Sequence, residues 1–300
     1  MAINHRVALG IACIVIAGLL WGAMGTAVQF LFQYSQGFNP LDLVALRQLC
    51  AGTVFVMIAF CLKPHAMLRI LKDGRLLANV AFGGVLIFST HYAFFESIFY
   101  SNAGTGAIFL TLVPLFAALW LSVTKHQKIG LTEVVCFVLA VSGVYLIITN
   151  GDWGVLQFSP LAIFWGLLSA VFATIYSIEP LSAINRVGVL PVVSWGMLGG
   201  GICGLIVGNP FGMPVEWNIP TLSTFAFIVL FGTVTAFWLY MQGLSAISPV
   251  MAGLLNCLEP LSAFLFSIAL LGDRFGAWQL LGIALVLANV CLLALVKARR

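Results

Sequence analysis

The sequence predicts an all-α membrane protein of ten transmembrane helices, built as two inverted five-helix repeats. Three observations carry this. The 300-residue chain is 62% hydrophobic and only 7% charged, with a mean hydropathy of +1.13, whereas soluble domains carry about 25% charged residues. Its apolar runs are long and continuous, not short and alternating, which selects helices over a barrel. The pattern of runs also overlays on itself after a shift of 146 positions, so that Pro114 meets Pro260 and Gly130 meets Gly276.

Roughly 20 apolar residues cross a bilayer. Polar, Gly and Pro breaks divide the chain into spans at 7–33, 40–62, 76–99, 104–124, 129–149, 160–185, 190–208, 220–244, 249–270 and 276–297. The first follows Arg6 and is longer than the core of about 7–15 residues in a signal peptide. The shortest breaks, Ser101–Gly104 and Ser245–Pro249, read as tight hairpins. Ten spans gather Arg6, Lys63, Arg69, Lys72, Arg75, Lys125, Lys128, Arg186, Lys297, Arg299 and Arg300 on one side, eleven of the 13 Lys and Arg. Asp152, Glu216 and Asp273 fall on the other side, with Arg274. The positive-inside rule then places both termini in the cytoplasm. An odd number of spans would strand one basic terminus outside.

The self-overlay runs without gaps from Ser89/Thr235 to Leu146/Leu292 and lays spans 3–5 on spans 8–10. It divides the chain into a first repeat, residues 1–150, and a second, residues 151–300. Repeats of five spans must be inverted in the membrane, a recurring plan of secondary transporters.

Ionisable groups within spans cost roughly 2.5–3.5 kcal/mol near the centre and are functional or paired. Here they are Arg47, His91, Glu96, Glu179 and Glu259. At a rise of about 1.5 Å per residue, Arg47 lies about 10 Å and Glu96 about 6 Å below the non-cytoplasmic boundary. Those depths suit an ion pair, either a static bridge or an outer gate and substrate clamp. The pentapeptide Glu-Pro-Leu-Ser-Ala occurs twice, at Glu179–Ala183 and Glu259–Ala263. Glu259 falls about 15 Å into span 9, near the midplane, and Pro260 removes a backbone donor beside it. Pro114 holds the symmetric place in span 4, with Val113 in place of the acid, and both prolines read as helix breaks. Glu259 therefore reads as part of the cavity. Glu179 lies outside the repeat frame, and either lines an inner vestibule or pairs with Arg186.

Other polar and aromatic side chains share these levels. His91 and Tyr92 precede Glu96, and Gln242 is its repeat equivalent. Asn256 shares a helix face with Glu259, as Tyr176 does with Glu179. These groups either converge on the pseudo-twofold axis or act as interhelical hydrogen-bond glue. Trp21, Tyr92 and Trp238 are candidate walls of an amphipathic pocket. Gly18 and Gly22, and Gly200, Gly204 and Gly208, have the spacing of close helix packing.

In order along the chain, several segments resemble the EamA family of the drug/metabolite transporter superfamily. They are Gly18-Leu19-Leu20-Trp21-Gly22, Arg47, Ser101 to Ala107 leading to Pro114, and Glu259-Pro260 closed by Gly272-Asp273. The resemblance spans nearly the whole chain as two tandem EamA repeats. It implies a ten-helix carrier of a bacterial inner membrane with its cavity between the halves, and relatives that typically export amino acids and related metabolites. Glu96 departs from the pattern, since many relatives carry a neutral residue there.

One Arg against three Glu in the spans disfavours phosphorylated cargo and suits a zwitterion or a neutral amphipathic metabolite. Export of amino acids by alternating access is the expected function. A drug or amine efflux carrier is the alternative, ahead of a channel or a polytopic membrane enzyme. No GxxxxGK[ST], HExxH or GxSxG motif occurs, so neither ATP-driven pumping nor catalysis is expected. The seven cysteines lie in apolar runs without CxxC spacing and read as small buried hydrophobes. No cofactor and no nucleic-acid partner is expected. The expected partners are a small-molecule substrate and the lipid bilayer, with protons a candidate coupling ion, and the expected state is a monomer.

Overall fold

The computed structural model describes residues 5–125, 131–152, 156–179, 181–247, 251–252, 255–256 and 258–298. Lys128, Gly130, Pro180, Pro249, Cys257, Arg299 and Arg300 lie outside the described residues. Among the described residues the secondary structure is helical throughout, without strands. Among these residues seven helices are long and apolar enough to cross a membrane, and three shorter apolar ones, Val134–Thr149, Leu258–Leu271 and Ala277–Asn289, bring the count to ten.

In the first repeat, spans 1, 2 and 3 are α1 (His5–Tyr34), α2 (Pro40–Leu62) and α4 (Gly74–Phe99). A short α3 (Pro64–Lys72) joins the last two. Span 4 is broken into α5 (Ala103–Leu110) and α6 (Val113–Lys125), and span 5 is α7 (Leu131–Thr149). In the second repeat, α8 (Pro160–Ile178) leads into a short α9 (Leu181–Val187), and α10 (Val189–Val207) is span 7. Span 8 runs through α11 (Ile219–Val229), a π-helical segment Leu230–Thr235, and α12 (Ala236–Leu244). Span 9 contains α13 (Leu258–Phe266) and a second π-helical segment, Ser267–Leu271, and span 10 is α14 (Ala277–Ala298).

Inside a bilayer the backbone must satisfy itself, so the helix ends decide where spans stop. The few polar loop residues do this work. Asn39 caps α2, Asp73 caps α4, Asn102 caps α5 and Asn218 caps α11, each accepting a backbone N–H of the first turn. Pro40, Pro160 and Pro220 stand at first-turn positions, where a missing N–H costs nothing.

The helices pack as an inverted repeat requires. Spans 2 and 7, 4 and 9, and 5 and 10 each pack against their own equivalent. Span 3 packs on span 6 as span 8 packs on span 1, and span 1 packs on span 9 as span 6 packs on span 4. A twofold axis between the halves generates this set of pairs. Small residues allow it: on α10, Gly204 lies against Ala45, and Gly200 against Gln48 and the backbone of Gly84. With ten spans, α1 begins and α14 ends at one end of the bundle, here called the terminal end. At the far end, a buried cluster that includes Val28, Leu31, Phe95, Ile98 and Ala103 fills the space between the helices.

Candidate functional site

A cavity of about 370 Å³ lies between the two repeats, within the size range of small-molecule sites. Its lining residues stand at mixed depths. Tyr176 lines it two residues before α8 ends, and Tyr240 four residues before α12 ends. Trp21, by contrast, stands near the middle of α1, 16 positions after His5 and 13 before Tyr34 at the far end, and His91 stands eight positions before α4 ends at that end with Phe99.

Five spans build most of the wall. From α1 come Trp21 and Met24, one turn apart on one face; from α4 come Thr90, His91 and Phe94. The break in span 4 contributes Thr111, Val113 and Pro114, and α12 contributes Phe237 and Tyr240. Asn256, Glu259 and Pro260 come from span 9. The rings interlock, with Trp21 5.3 Å from Phe237 and 5.1 Å from Tyr240 between centroids.

Glu259 is the single carboxylate among the described lining residues, and no Lys or Arg stands with it. Close helix contact puts it there. A Cβ added at Gly22 would strike the Ser262 Oγ, the Ala263 N and the Glu259 O, so only glycine lets α1 lie this near α13. The Ser262 hydroxyl donates to the Glu259 carbonyl at 2.9 Å and lies 3.2 Å from the Gly18 carbonyl, tying α13 to α1 at this level. The glycines at 18 and 22 thus pack helices, and by doing so set the depth of the acid. Pro260 sits in the first turn of α13, and Pro114 is the second residue of α6. Each proline therefore stands just after the start of a helix, at symmetric points on the cavity wall.

The other predicted residues divide. His91 lines the cavity, and its Nδ1 is 3.1 Å from the Gln48 Nε2. Tyr92 turns to the interface with span 6, its ring 5.2 Å from that of Trp165. Trp238 packs against the main buried cluster, while Gln242 is exposed and does not line the cavity. Glu179 is exposed at the terminal end of α8 and also lies off the cavity. Arg186 does not pair with it, since Arg186 stands 3.7 Å from Asp73.

Arg47 and Glu96 do not form the ion pair that their depths suggest. It is Phe95 that faces α2, its ring centroid 5.0 Å from the Arg47 guanidinium carbon. Successive helix residues point about 100° apart, so Glu96 turns aside and is only half-buried. Arg47 itself is 0% exposed. Its Nη1 donates to the Thr233 Oγ1 at 3.1 Å and lies 3.6 Å from the Met24 Sδ. Depth along a span was readable from sequence, but rotation about the helix axis was not. Tyr240, Thr90, Thr111 and Met24 were missed for that reason; the aromatic run Phe237–Tyr240 was the available signal for Tyr240.

The sequence profile of the EamA-like transporter family matches residues 8–149 and 160–295 of this chain. An uncharacterized inner membrane transporter of Salmonella typhimurium, YicL, is 31% identical over 292 residues, 97% of each chain. An uncharacterized transporter of Helicobacter pylori is 24% identical over 301 residues, covering 97% of this chain and 96% of its own. A solved crystal structure superposes with a TM-score of 0.65 over 98% of both chains at 15% identity, a likeness of fold alone. With ten apolar helices in paired halves and a family profile covering nearly its whole length, this chain belongs to the EamA-like transporter family.

Proposed function

We propose that this protein is a secondary transporter that exports small amphipathic metabolites bearing an amino group, amino acids and their relatives, by alternating access. The observation that carries the reading is Glu259, a lone carboxylate in an aromatic cavity between two inverted halves. A cationic amine meets the acid there, rings accept its apolar part and its charge, and a symmetric pair of halves supplies a gate at each end. The excess of Lys and Arg at the terminal end makes that end cytoplasmic by the positive-inside rule. The absence of a lining cation among the described residues favours a second reading, efflux of simple amines.

The test is a thermal-shift scan of the purified protein in detergent against amino acids, amines, nucleosides and neutral drugs, with Glu259→Gln alongside. Cargo that stabilises the wild type and not the variant supports the reading. Stabilisation of both to the same extent removes Glu259 from the site. In proteoliposomes, Glu259→Gln retaining exchange but losing pH-driven accumulation would make protons the coupling ion.

A further inference from the structure

Arg47 carries a contradiction. It is a fully buried guanidinium in a membrane span, where charges are paired with one another or with carbonyls. Yet among the described residues no carboxylate reaches it, and its Nε and Nη2 have no hydrogen-bond partner at all. The contacts it does make are a hydroxyl, a thioether and a ring face.

Which donors stand vacant is informative. Nε and Nη2 form one edge of the planar guanidinium, the arrangement that grips both oxygens of a carboxylate. The π-helical turn of span 8 holds the other edge in place. Thr233 donates its hydroxyl to the Ile228 carbonyl at 2.8 Å, five residues back, which leaves its oxygen free to accept from Nη1. The guanidinium is therefore fixed on one side and unfilled on the other.

Met24 links it to the cavity wall. Met24 lines the cavity and also touches Arg47. Its unbranched thioether is flexible and its sulfur is a weak acceptor, so it is readily displaced by an oxyanion. The neighbouring Gln48 repeats the pattern, with a buried Oε1 that has no partner and an Nε2 beside the cavity-lining His91. Along α1, Gly22 marks the level of the Glu259 carbonyl and Met24 lies two residues further on, about 3 Å along the axis.

We propose that Arg47 is a substrate-binding residue, the anchor of a carboxylate subsite behind Met24, so that the site takes zwitterions in preference to the matching amines. The proposal rests on the carrier reading above. Glu259 holds the ammonium of the cargo. The Met24 side chain swings aside, and the cargo carboxylate docks on the vacant Nε–Nη2 edge while Thr233 keeps the guanidinium in register.

The test measures binding to the purified full-length protein with matched pairs: L-leucine and isoamylamine, L-phenylalanine and phenethylamine, L-tryptophan and tryptamine. Sodium acetate at fixed ionic strength is a further probe. The expected result is that at least one amino acid binds about tenfold or more tightly than its amine. Arg47→Gln and Thr233→Val then shrink that ratio towards one and leave the affinity for the amine unchanged, which also shows that each variant is folded. Thr233→Val carries the test by itself if Arg47→Gln does not fold. Equal affinity for amine and amino acid in the wild type overturns the proposal and leaves an amine carrier standing. So does a preference that survives both substitutions. Acetate that competes as well as the amino acid overturns the assignment to cargo, because the subsite then holds a free anion. Binding of no member of any pair overturns this proposal together with the amino-bearing cargo.

Discussion

Gln29 on α1 and Asp273 in the loop after span 9 are joined by a hydrogen bond of 2.9 Å, donated by the Gln29 amide. The same side chain accepts the Ala103 N–H at 2.7 Å. One buried carboxamide, 2% exposed, thus ties α1 to the first turn of α5 and to the opposite repeat, all at the far end of the bundle. The carboxylate needs a donor and the N–H needs an acceptor, which fixes the orientation of the amide. Gln29→Leu leaves a buried N–H unsatisfied and removes a charge-assisted bond, a loss of about 2–4 kcal/mol and a lower melting temperature by circular dichroism. Gln29→Glu sets two carboxylates against each other. In a chain freed of its own cysteines, a thiol introduced at Ala107 should then label faster with an impermeant maleimide applied from the far side. Unchanged labelling would show that this tie does not hold the far end shut.

Gly22 sets how closely α1 approaches Glu259. Its added Cβ would meet backbone atoms of span 9 as well as the Ser262 hydroxyl, and backbone does not yield as a side-chain tip does. Gly22→Ala is expected to cost about 1–3 kcal/mol and to weaken cargo binding by shifting Glu259 against the rings of Trp21 and Tyr240. Gly74→Ala is the control. No atom lies within 4 Å of its added Cβ, and a change within about 0.5 kcal/mol is expected. Equal melting temperatures for the two variants would remove the packing argument.

The ten spans were legible because hydropathy and span length depend on composition over a whole helix, and the repeat because Pro114 and Pro260 stand at symmetric breaks. Glu259 on the cavity wall followed from its depth. The direction in which each side chain points did not follow. Arg47 and Glu96 share a level, but Phe95 takes the facing position, and Tyr92 one residue after His91 turns to Trp165 instead of the cavity. In soluble helices the polar face marks the outside; here both faces are apolar and periodicity is silent. The π-helical turn at Leu230–Thr235 was illegible for a related reason. It carries a tertiary contact, Thr233 with Arg47, between residues far apart in sequence.

Asp73 separates two effects that a charge count merges. It caps α4, accepting the Arg75 and Leu76 N–H groups at 3.1 Å, and it lies 3.7 Å from Arg186 with both side chains well exposed. The cap is worth about 1 kcal/mol, while an exposed ion pair screened by solvent contributes little. Thermal unfolding should show Asp73→Ala destabilised by about that amount. Asp73→Asn, which keeps the cap, and Arg186→Ala should both stay within about 0.5 kcal/mol of the wild type. A larger loss in Arg186→Ala than in Asp73→Ala would reverse the assignment.

Arg47 invites the opposite outcome from most buried residues. Removing one partner of a buried ion pair costs about 3–5 kcal/mol because it strands the other charge. Here no partner charge among the described residues is left behind, since the guanidinium is itself the stranded group. Arg47→Met trades an unfilled donor edge for a thioether that packs against Phe95 and Met24. Without cargo, the variant should melt at or above the wild-type temperature, and it should no longer tell an amino acid from its amine. A residue kept for stability would give the reverse, a fall of about 3 kcal/mol or more with the preference intact. Stability gained with selectivity lost is what a site left unfilled for its ligand predicts.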